Sequence, residues 1–265
     1  MKLQKIKYIL VLLLFSFINI SFAQDNENEA KPEIGIYERL GETIPEGIIL
    51  TDETGKQVDV KSLITKPTVF SLVYFRCPGI CSPLLNGVST IVDKSDMEPG
   101  KDFNLITISF DQSEDYKLAS GKKESYLENL NRKIPSDSWR FLTGDSTNIR
   151  KIADALGFKF ARQGNDFMHG ASIMMVSADG KIVRYLYGVD YLPFDFKMAV
   201  TEASEGRVVP TINKIMKMCF SFDPDGRKYV LNVTRIAGGG MLLLIGVFII
   251  ILNSKKKKNK INKII

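Results

Sequence analysis

The chain has 265 residues, of which 36 are basic and 30 acidic, so its formal net charge is +6. Nine of the basic residues and none of the acidic ones lie in residues 1–23 and 253–265, so the 27 basic and 30 acidic residues between these segments carry about −3. The positive charge therefore belongs to the two termini, and the sequence predicts no nucleic-acid partner. The remaining length suffices for one folded domain of ordinary size.

Residues 1–23 have the layout of a secretory signal peptide. Three lysines precede an apolar core, and the segment closes on Ser21-Phe22-Ala23, the small-x-small pattern that signal peptidase accepts. We interpret the segment as a cleaved signal, with an uncleaved membrane anchor as the alternative. The residues that follow are acidic and lack apolar periodicity, so 24–39 is predicted to be a flexible leader.

Between residues 40 and 205, strand-like and helix-like patterns alternate, which predicts a single α/β domain. Runs of apolar and β-branched residues predict strands at 68–75, 103–110 and 139–142. An Asp-Gly turn joins two further strands into a hairpin, at 171–176 and 181–187. Helical spacing and end signals predict helices at 82–92, 113–131, 145–156 and 193–203.

This order of elements is that of a thioredoxin-like α/β sandwich with a central mixed sheet. In such a layout the loop after the first core strand leads into the N-terminus of a helix. Here that loop holds the pentapeptide CPGIC, residues 77–81. Met174 and Met175 fall in a buried strand and are predicted to be core residues.

Residues 206–235 are predicted to connect the domain to a membrane helix. A short helical pattern at 210–220 and a turn signal at 223–226 lie in this connector. Residues 236–252 are 17 residues without a charge, and six lysines follow in 253–265, which predicts one C-terminal transmembrane helix with a cytoplasmic basic tail. The domain would then lie across the membrane in an oxidising compartment. A buried core helix is the alternative for the apolar segment.

Two of the three cysteines, Cys77 and Cys81, lie in CPGIC, where they could exchange electrons, hold a metal or staple a loop. A helix N-terminus favours thiolate over thiol. Thioredoxin-type oxidoreductases have two residues between their cysteines, whereas here there are three. This spacing lets both sulfurs face one side of a helical turn, where they can share a soft cation such as copper(I). Two sulfurs leave such a site open, so a third donor is expected.

His169, the only histidine, is the candidate for this third donor. It lies immediately before the hairpin strand, in a loop that a thioredoxin-like fold places beside the cysteine loop. An imidazole there could complete a Cys₂His site, although a lone histidine can equally be a surface or core residue. The third cysteine, Cys219, follows Met216 and Met218, so this segment is either an auxiliary copper(I) site or ordinary apolar packing.

Three segments together resemble the Sco/SenC family of copper chaperones: CPGIC behind the strand TVFSLVYF, TISFD ending in Asp111, and His169 before ASIMMVSADGKIVRYLYGV. The resemblance spans about residues 40–205. It implies a membrane-tethered thioredoxin-like domain that binds one copper ion through Cys77, Cys81 and His169. It also implies that the protein helps to build the dinuclear copper centre on subunit II of cytochrome c oxidase, as metal donor, thiol reductant or both.

The sequence departs from many relatives in the position of its anchor. Their anchor is an N-terminal helix, whereas the predicted anchor here is C-terminal. This arrangement is similar to a bacterial branch of the family and predicts a periplasmic domain on the inner membrane. Asp111 falls where relatives have an acidic residue near the metal loop, and it either supports a ligand or caps the helix predicted from Ser113.

Two functions from different classes would use the same cysteine pair. A metallochaperone binds copper through two thiolates and an imidazole and passes it to the cysteines of an acceptor. A thiol-disulfide oxidoreductase of the cell envelope attacks a client disulfide with Cys77, resolves the mixed disulfide with Cys81, and can lose His169. Peroxidase chemistry, with Arg76 as the adjacent arginine, is disfavoured because both cysteines lie on one loop. The chain is predicted to be a metal carrier, with reductase activity as the open alternative.

Overall fold

The computed structural model describes residues 34–164, 166–209, 220–223 and 228–231, with the helical positions 238, 241, 245 and 248. Strands β1–β13 of this part are Gly35–Ile36, Ile49–Asp52, Gln57–Asp59, Thr68–Val73, Asn104–Ser109, Trp139–Thr143, Phe158–Lys159, Ala161–Gln163, Asp166–Met168, Ser172–Val176, Ile182–Tyr187, Phe220–Asp223 and Lys228–Leu231. Helices α1–α4 are Cys81–Lys94, Tyr116–Glu128, Ser146–Ala155 and Pro193–Ser204. Short 3₁₀ turns occur at Val60–Leu63 and Ser136–Ser138.

A seven-stranded mixed sheet forms the centre of the domain, in the order β11-β10-β4-β5-β6-β2-β3. Strands β4, β5 and β6 are parallel, and the remaining pairs are antiparallel. All six residues of β4 are buried, which requires that both faces of the sheet are covered. The thioredoxin-like α/β fold predicted from the sequence is confirmed.

Helices α2 and α3 begin where a side-chain oxygen of an aspartate accepts hydrogen bonds from their free amide groups. The carboxylate of Asp145 accepts hydrogen bonds from the backbone N–H groups of Thr147 and Asn148, at 2.8 and 3.0 Å, and α3 starts at the next residue. At its other end, Gly157 has a φ of +64°. A Cβ atom at Gly157 would lie 1.8 Å from the carbonyl oxygen of Tyr37, so the close approach of the N-terminal segment requires glycine there.

The predicted elements of the domain are present, and their ends differ for local reasons. The strand predicted at 68–75 stops at Val73, because the next residues turn toward the cysteine loop. The helix predicted at 113–131 spans Tyr116–Glu128, because Asp115 has extended backbone angles and caps it. Met174 and Met175 are buried, as predicted.

Several short elements were not predicted. Strands β2 and β3 extend the sheet at one edge, and β8 and β9 form a separate hairpin. Strand β1 pairs with β7. Residues 34–39, predicted as the end of a flexible leader, therefore contribute to the folded domain. In the predicted connector, β12 and β13 pair antiparallel, and Phe220 is in a strand rather than in a helix. The predicted turn at 223–226 lies outside the described residues except for Asp223.

The segments predicted to interact with a membrane lie mostly outside the described residues. The predicted signal, most of the leader, residues 210–219 with Met216, Met218 and Cys219, and the basic tail are not described. Of the predicted membrane helix at 236–252, four positions are described, and these are helical. In the described part of the chain, no helix combines the length and the apolar character that crossing a bilayer needs.

Candidate metal centre

The cysteine loop connects β4 to α1 at the carboxyl edge of the parallel strands. Cys81 is the first residue of α1 and is buried, whereas Cys77 in the loop is half-buried. The backbone N–H of Tyr74 points at Cys81 Sγ, at 3.5 Å, and the N–H of Gly79 points at Cys77 Sγ, at 3.3 Å. Each sulfur therefore faces one backbone donor, and such a hydrogen bond favours thiolate where burial does not outweigh it.

His169 lies 88 residues after Cys81 in the chain, and the pairing of the strands brings it to the cysteine loop. It follows β9 and precedes β10, and β10 pairs antiparallel with β4, so the entry to β10 lies beside the exit from β4. The Nε2 atom of His169 is 3.5 Å from Cys81 Sγ. Together the two sulfurs and the imidazole nitrogen form a group whose ligand atoms all lie within 4.8 Å of one another. The structure thus brings together all three residues that the sequence predicted.

The orientation of the imidazole leaves one nitrogen free to bind a metal. The Nδ1 atom of His169 lies 2.8 Å from the carbonyl oxygen of Gly170. A carbonyl can only accept, so Nδ1 carries the proton and Nε2 directs its lone pair toward the sulfurs. Burial lowers the pKa of His169, with the Gly170 hydrogen bond acting in the opposite direction. The ring is therefore neutral at pH 7, which is the form that ligates metals.

Aromatic rings surround the imidazole. The centroids of Tyr74, Phe110 and Phe158 lie 6.1, 5.1 and 5.9 Å from that of His169. The Tyr74 hydroxyl donates a hydrogen bond of 2.7 Å to the carboxylate of Asp166 on β9. These contacts fix the ring and exclude water from its flank, and such an apolar surround controls solvent access to a metal.

The two cysteines differ in acidity. Partial burial opposes ionisation of Cys77, but hydrogen bonds led by those from the Cys81 backbone and side chain outweigh it and lower the pKa of Cys77. Burial raises the pKa of Cys81, and the nearby charges of Cys77 and Glu114 raise it further. At neutral pH, Cys77 is therefore the more nucleophilic sulfur, and Cys81 releases its proton to a metal or to a stronger base.

Comparison with known proteins places this site in a family. The SCO1/SenC family model matches residues 42–193, which is more than half of the chain. The chain belongs to the SCO1/SenC family. The family resemblance predicted from the sequence is therefore confirmed.

Individual relatives and solved structures are similar to this chain. The SCO1 protein homolog of Bacillus subtilis (strain 168) is 28% identical over 148 residues, which cover 54% of this chain and 74% of that protein. A crystal structure from Aquifex aeolicus VF5 is 30% identical with a TM-score of 0.57, covering 63% of this chain and 95% of that one. A SCO1/SenC family lipoprotein from Bacillus anthracis str. Ames, 19% identical with a TM-score of 0.51, covers 64% of this chain and 98% of its own and shows the shared fold.

Asp111 closes a turn and does not cap the helix, which was one of the two roles considered from the sequence. Its side chain accepts a hydrogen bond of 2.9 Å from the backbone N–H of Ser113, which closes a turn before α2. The helix itself is capped by Asp115, which accepts from the N–H of Leu118 at 3.0 Å. The expectation that Asp111 caps this helix is wrong, because the turn delays the start of the helix by several residues.

Sequence reasoning missed Glu114, which lies against the start of the cysteine loop. Its carboxylate accepts hydrogen bonds from the backbone N–H groups of Phe75 and Arg76, at 2.7 and 2.8 Å, and from the Ser109 hydroxyl at 2.6 Å. The sequence holds three acids within five residues here, Asp111, Glu114 and Asp115, and no pattern in it distinguishes the one that turns inward.

The donor set determines what this centre can do chemically. Two thiolates and an imidazole nitrogen are soft to intermediate ligands, which suit copper(I) and zinc better than magnesium or calcium. The group has three donors, and the side of Cys77 is only half-buried. A partner that reaches the site from this side could exchange ligands with it. The same geometry brings the two thiols close enough for redox chemistry.

Proposed function

We propose that this protein is a membrane-tethered copper metallochaperone that binds copper through Cys77, Cys81 and His169. The observation that carries the proposal is the grouping of the three ligand atoms within 4.8 Å, with the lone pair of Nε2 facing the sulfurs. Thiolate ligands select copper(I) among the metals available in the cell envelope. Membership of the SCO1/SenC family supports the same metal.

The proposed acceptor is the dinuclear copper centre on subunit II of cytochrome c oxidase, or a similar copper protein. Family membership supports this partner. Transfer would proceed by ligand exchange, in which a thiolate of the acceptor replaces one ligand at a time and the copper ion keeps its oxidation state. Cys77, the half-buried ligand on the loop, is the one that an incoming thiolate would replace first.

The proposed location is the periplasmic face of a bacterial inner membrane. The signal-like residues 1–23, the uncharged residues 236–252 and the lysines of residues 253–265 support this arrangement. Met241, Ile245 and Phe248 also support it, because they share one face of a helix and are 39–51% exposed. A bilayer would cover such an apolar face.

Reduction of a client disulfide is the second candidate function, and the acidity of the two thiols favours it. Cys77 has a lowered pKa and is half-buried, whereas Cys81 has a raised pKa and is buried, which is the profile of an attacking and a resolving sulfur. In this reaction the client disulfide is reduced to two thiols while Cys77 and Cys81 form a disulfide. A separate thiol donor must then reduce the pair.

The two functions are distinguished by the response to loss of the imidazole. The full chain, purified in detergent and reduced, is loaded with copper(I) and compared with His169→Ala for metal retention and for reduction of a model disulfide. Loss of retention with intact reductase activity supports the chaperone, because only metal binding needs His169. Met168→Leu, at the neighbouring position, is the matched control and should retain copper. Unchanged retention in His169→Ala would show that the third ligand is wrongly assigned.

A further inference from the structure

Glu114 is a buried carboxylate that forms no salt bridge with any residue that the structure describes. The residue is 4% exposed. Its hydrogen-bond donors are all neutral groups: two successive backbone N–H groups and a serine hydroxyl. Burying a charge is costly unless hydrogen bonds compensate it, so this placement needs a reason beyond packing.

The two amides that Glu114 binds immediately precede Cys77. Strand β4 ends at Val73, and the chain then turns away, so Phe75 and Arg76 have no strand partner for their N–H groups. Each of the two carboxylate oxygens accepts a hydrogen bond from one of these amides. This pair of hydrogen bonds, the Glu114 clamp, fixes the backbone there. Cys77 is the residue directly after Arg76, so the position of its sulfur depends on the orientation of the backbone at Phe75 and Arg76.

We propose that Glu114 is a positioning residue of the copper site, which acts on Cys77 through the backbone and holds its sulfur in place before the metal arrives. This inference rests on the proposed copper function. The hydrogen bonds of its carboxylate go to Phe75, Arg76 and Ser109 and not to the three candidate ligands. Glu114 sets the geometry of the cysteine loop, which would otherwise be free to move. Because the loop is ordered before the metal binds, the entropic cost of ordering it does not reduce the affinity for the metal.

A carboxylate is the one side-chain group that satisfies this arrangement. Each oxygen of Glu114 accepts from an amide, Oε2 from Phe75 and Oε1 from Arg76. In glutamine one of the two positions would be an NH₂ group, which only donates and would face an amide N–H in either rotamer. Glu114→Gln therefore breaks the clamp although its shape is nearly unchanged.

If Glu114 acted on the copper site only through its negative charge, its removal would change the copper affinity in a different direction. Copper(I) carries one positive charge and displaces one or two thiol protons, so loading adds no positive charge to the site. Removing the charge of Glu114 would then leave copper affinity unchanged or raise it. A positioning role predicts that affinity falls. The direction of the change in Glu114→Gln separates the two explanations.

The test compares copper(I) affinity in the reduced full chain, measured by competition with a chromophoric chelator. Glu114→Gln should lower the affinity about 10-fold or more, which is the range for substitutions that orient metal ligands. Glu114→Asp keeps the charge but is one methylene shorter and should also lower it. Asp115→Ala is the matched control, since it removes the cap of α2 at the next residue but leaves the clamp intact. The copper X-ray absorption edge should change in the Glu114 variants alone.

Each outcome has a defined meaning. If the wild-type chain does not bind copper(I), the proposed function is wrong whatever the variants do. If it binds and the Glu114 variants bind within about 2-fold of it or more tightly, the positioning role is overturned. An equal loss in Asp115→Ala would assign the effect to the stability of α2 and also overturn it. Should Glu114→Gln fail to fold, as judged by circular dichroism, Glu114→Asp decides.

Discussion

The Nε2 atom of His169 lies 3.5 Å from the Sγ atom of Cys81, although 88 residues separate them in the chain. The imidazole is held in this position from its other side, where Nδ1 donates to the carbonyl of Gly170. One residue therefore contributes both a fixed tautomer and a directed lone pair. The geometry of the metal centre is set by backbone as much as by side chains.

The buried imidazole makes the metal-free protein sensitive to acid. Burial lowers the folded pKa of His169 below its unfolded value of about 6.5, so the unfolded state binds the proton more readily. Its contribution to stability is thus complete above pH 6.5 and is lost as pH falls toward the folded pKa. We expect the free energy of unfolding to drop more steeply between pH 7 and pH 5 in the wild type than in His169→Gln. Urea unfolding at several pH values measures this.

Because the chain has one histidine, this comparison isolates a single group of that type. The carboxylates titrate mainly below this range and contribute equally to both proteins. The free energy of unfolding is plotted against pH for wild type and variant. If the two plots are parallel between pH 7 and pH 5, the ring is accessible and charged in the folded state, contrary to its observed burial.

Cys77 should react with iodoacetamide before Cys81. Its pKa is lowered and it is half-buried, whereas burial raises the pKa of Cys81. The thiolate is the reactive form, so we expect modification of Cys77 at pH 7 to be at least about 10-fold faster. Mass spectrometry of digested samples over time gives both rates. In Cys77→Ser, Cys81 should remain slow, and preferential labelling of Cys81 would contradict the assignment of the more acidic thiol.

Gly87 allows α1, which begins with Cys81, to pack against the segment that follows β11. A Cβ atom at Gly87 would lie 1.8 Å from the carbonyl oxygen of Val189. Gly87→Ala should therefore destabilise the protein by about 1–3 kcal/mol or more, because the backbone must move apart. Chemical denaturation measures the change.

Gly121, in α2, is the matched control for this substitution. A Cβ atom there meets no atom within 4 Å, and the residue is exposed. Gly121→Ala should stabilise the helix by about 0.5–1 kcal/mol, since alanine loses less backbone entropy on folding than glycine. Changes of the same sign in both variants would show that the predicted clash at Gly87 is relieved by local movement.

The main elements of the fold could be read from the sequence because their patterns are strong. Strand β4 is a continuous apolar run, and Asp145 and Gly157 mark the ends of α3. Strands β2 and β3 have four and three residues with mixed burial, too short for periodicity to distinguish them from loop. Their place in the sheet depends on partners distant in the chain, which no local pattern encodes.

The candidate site could be predicted in part for a similar reason. Cysteine and histidine are rare in this chain, so Cys77, Cys81 and His169 stand out, and the predicted fold places their loops together. Glu114 belongs to a common residue type among neighbouring acids. Its proposed importance lies in two backbone amides that have no strand partner where β4 ends and donate to its carboxylate instead, which is a property of the folded loop and is absent from the residue pattern.

The antiparallel pairing of β10 with β4 controls when the three ligands can meet. The cysteines follow β4, the histidine precedes β10, and the intervening segment includes β5 and β6, so a chain in which β10 has not yet paired has the sulfurs without the imidazole beside them. Such an unfinished chain offers copper only a two-sulfur site. With the proposed copper function, tight capture of the metal is reserved for molecules that have completed folding, and copies whose sheet is unfinished do not compete with them for the ion.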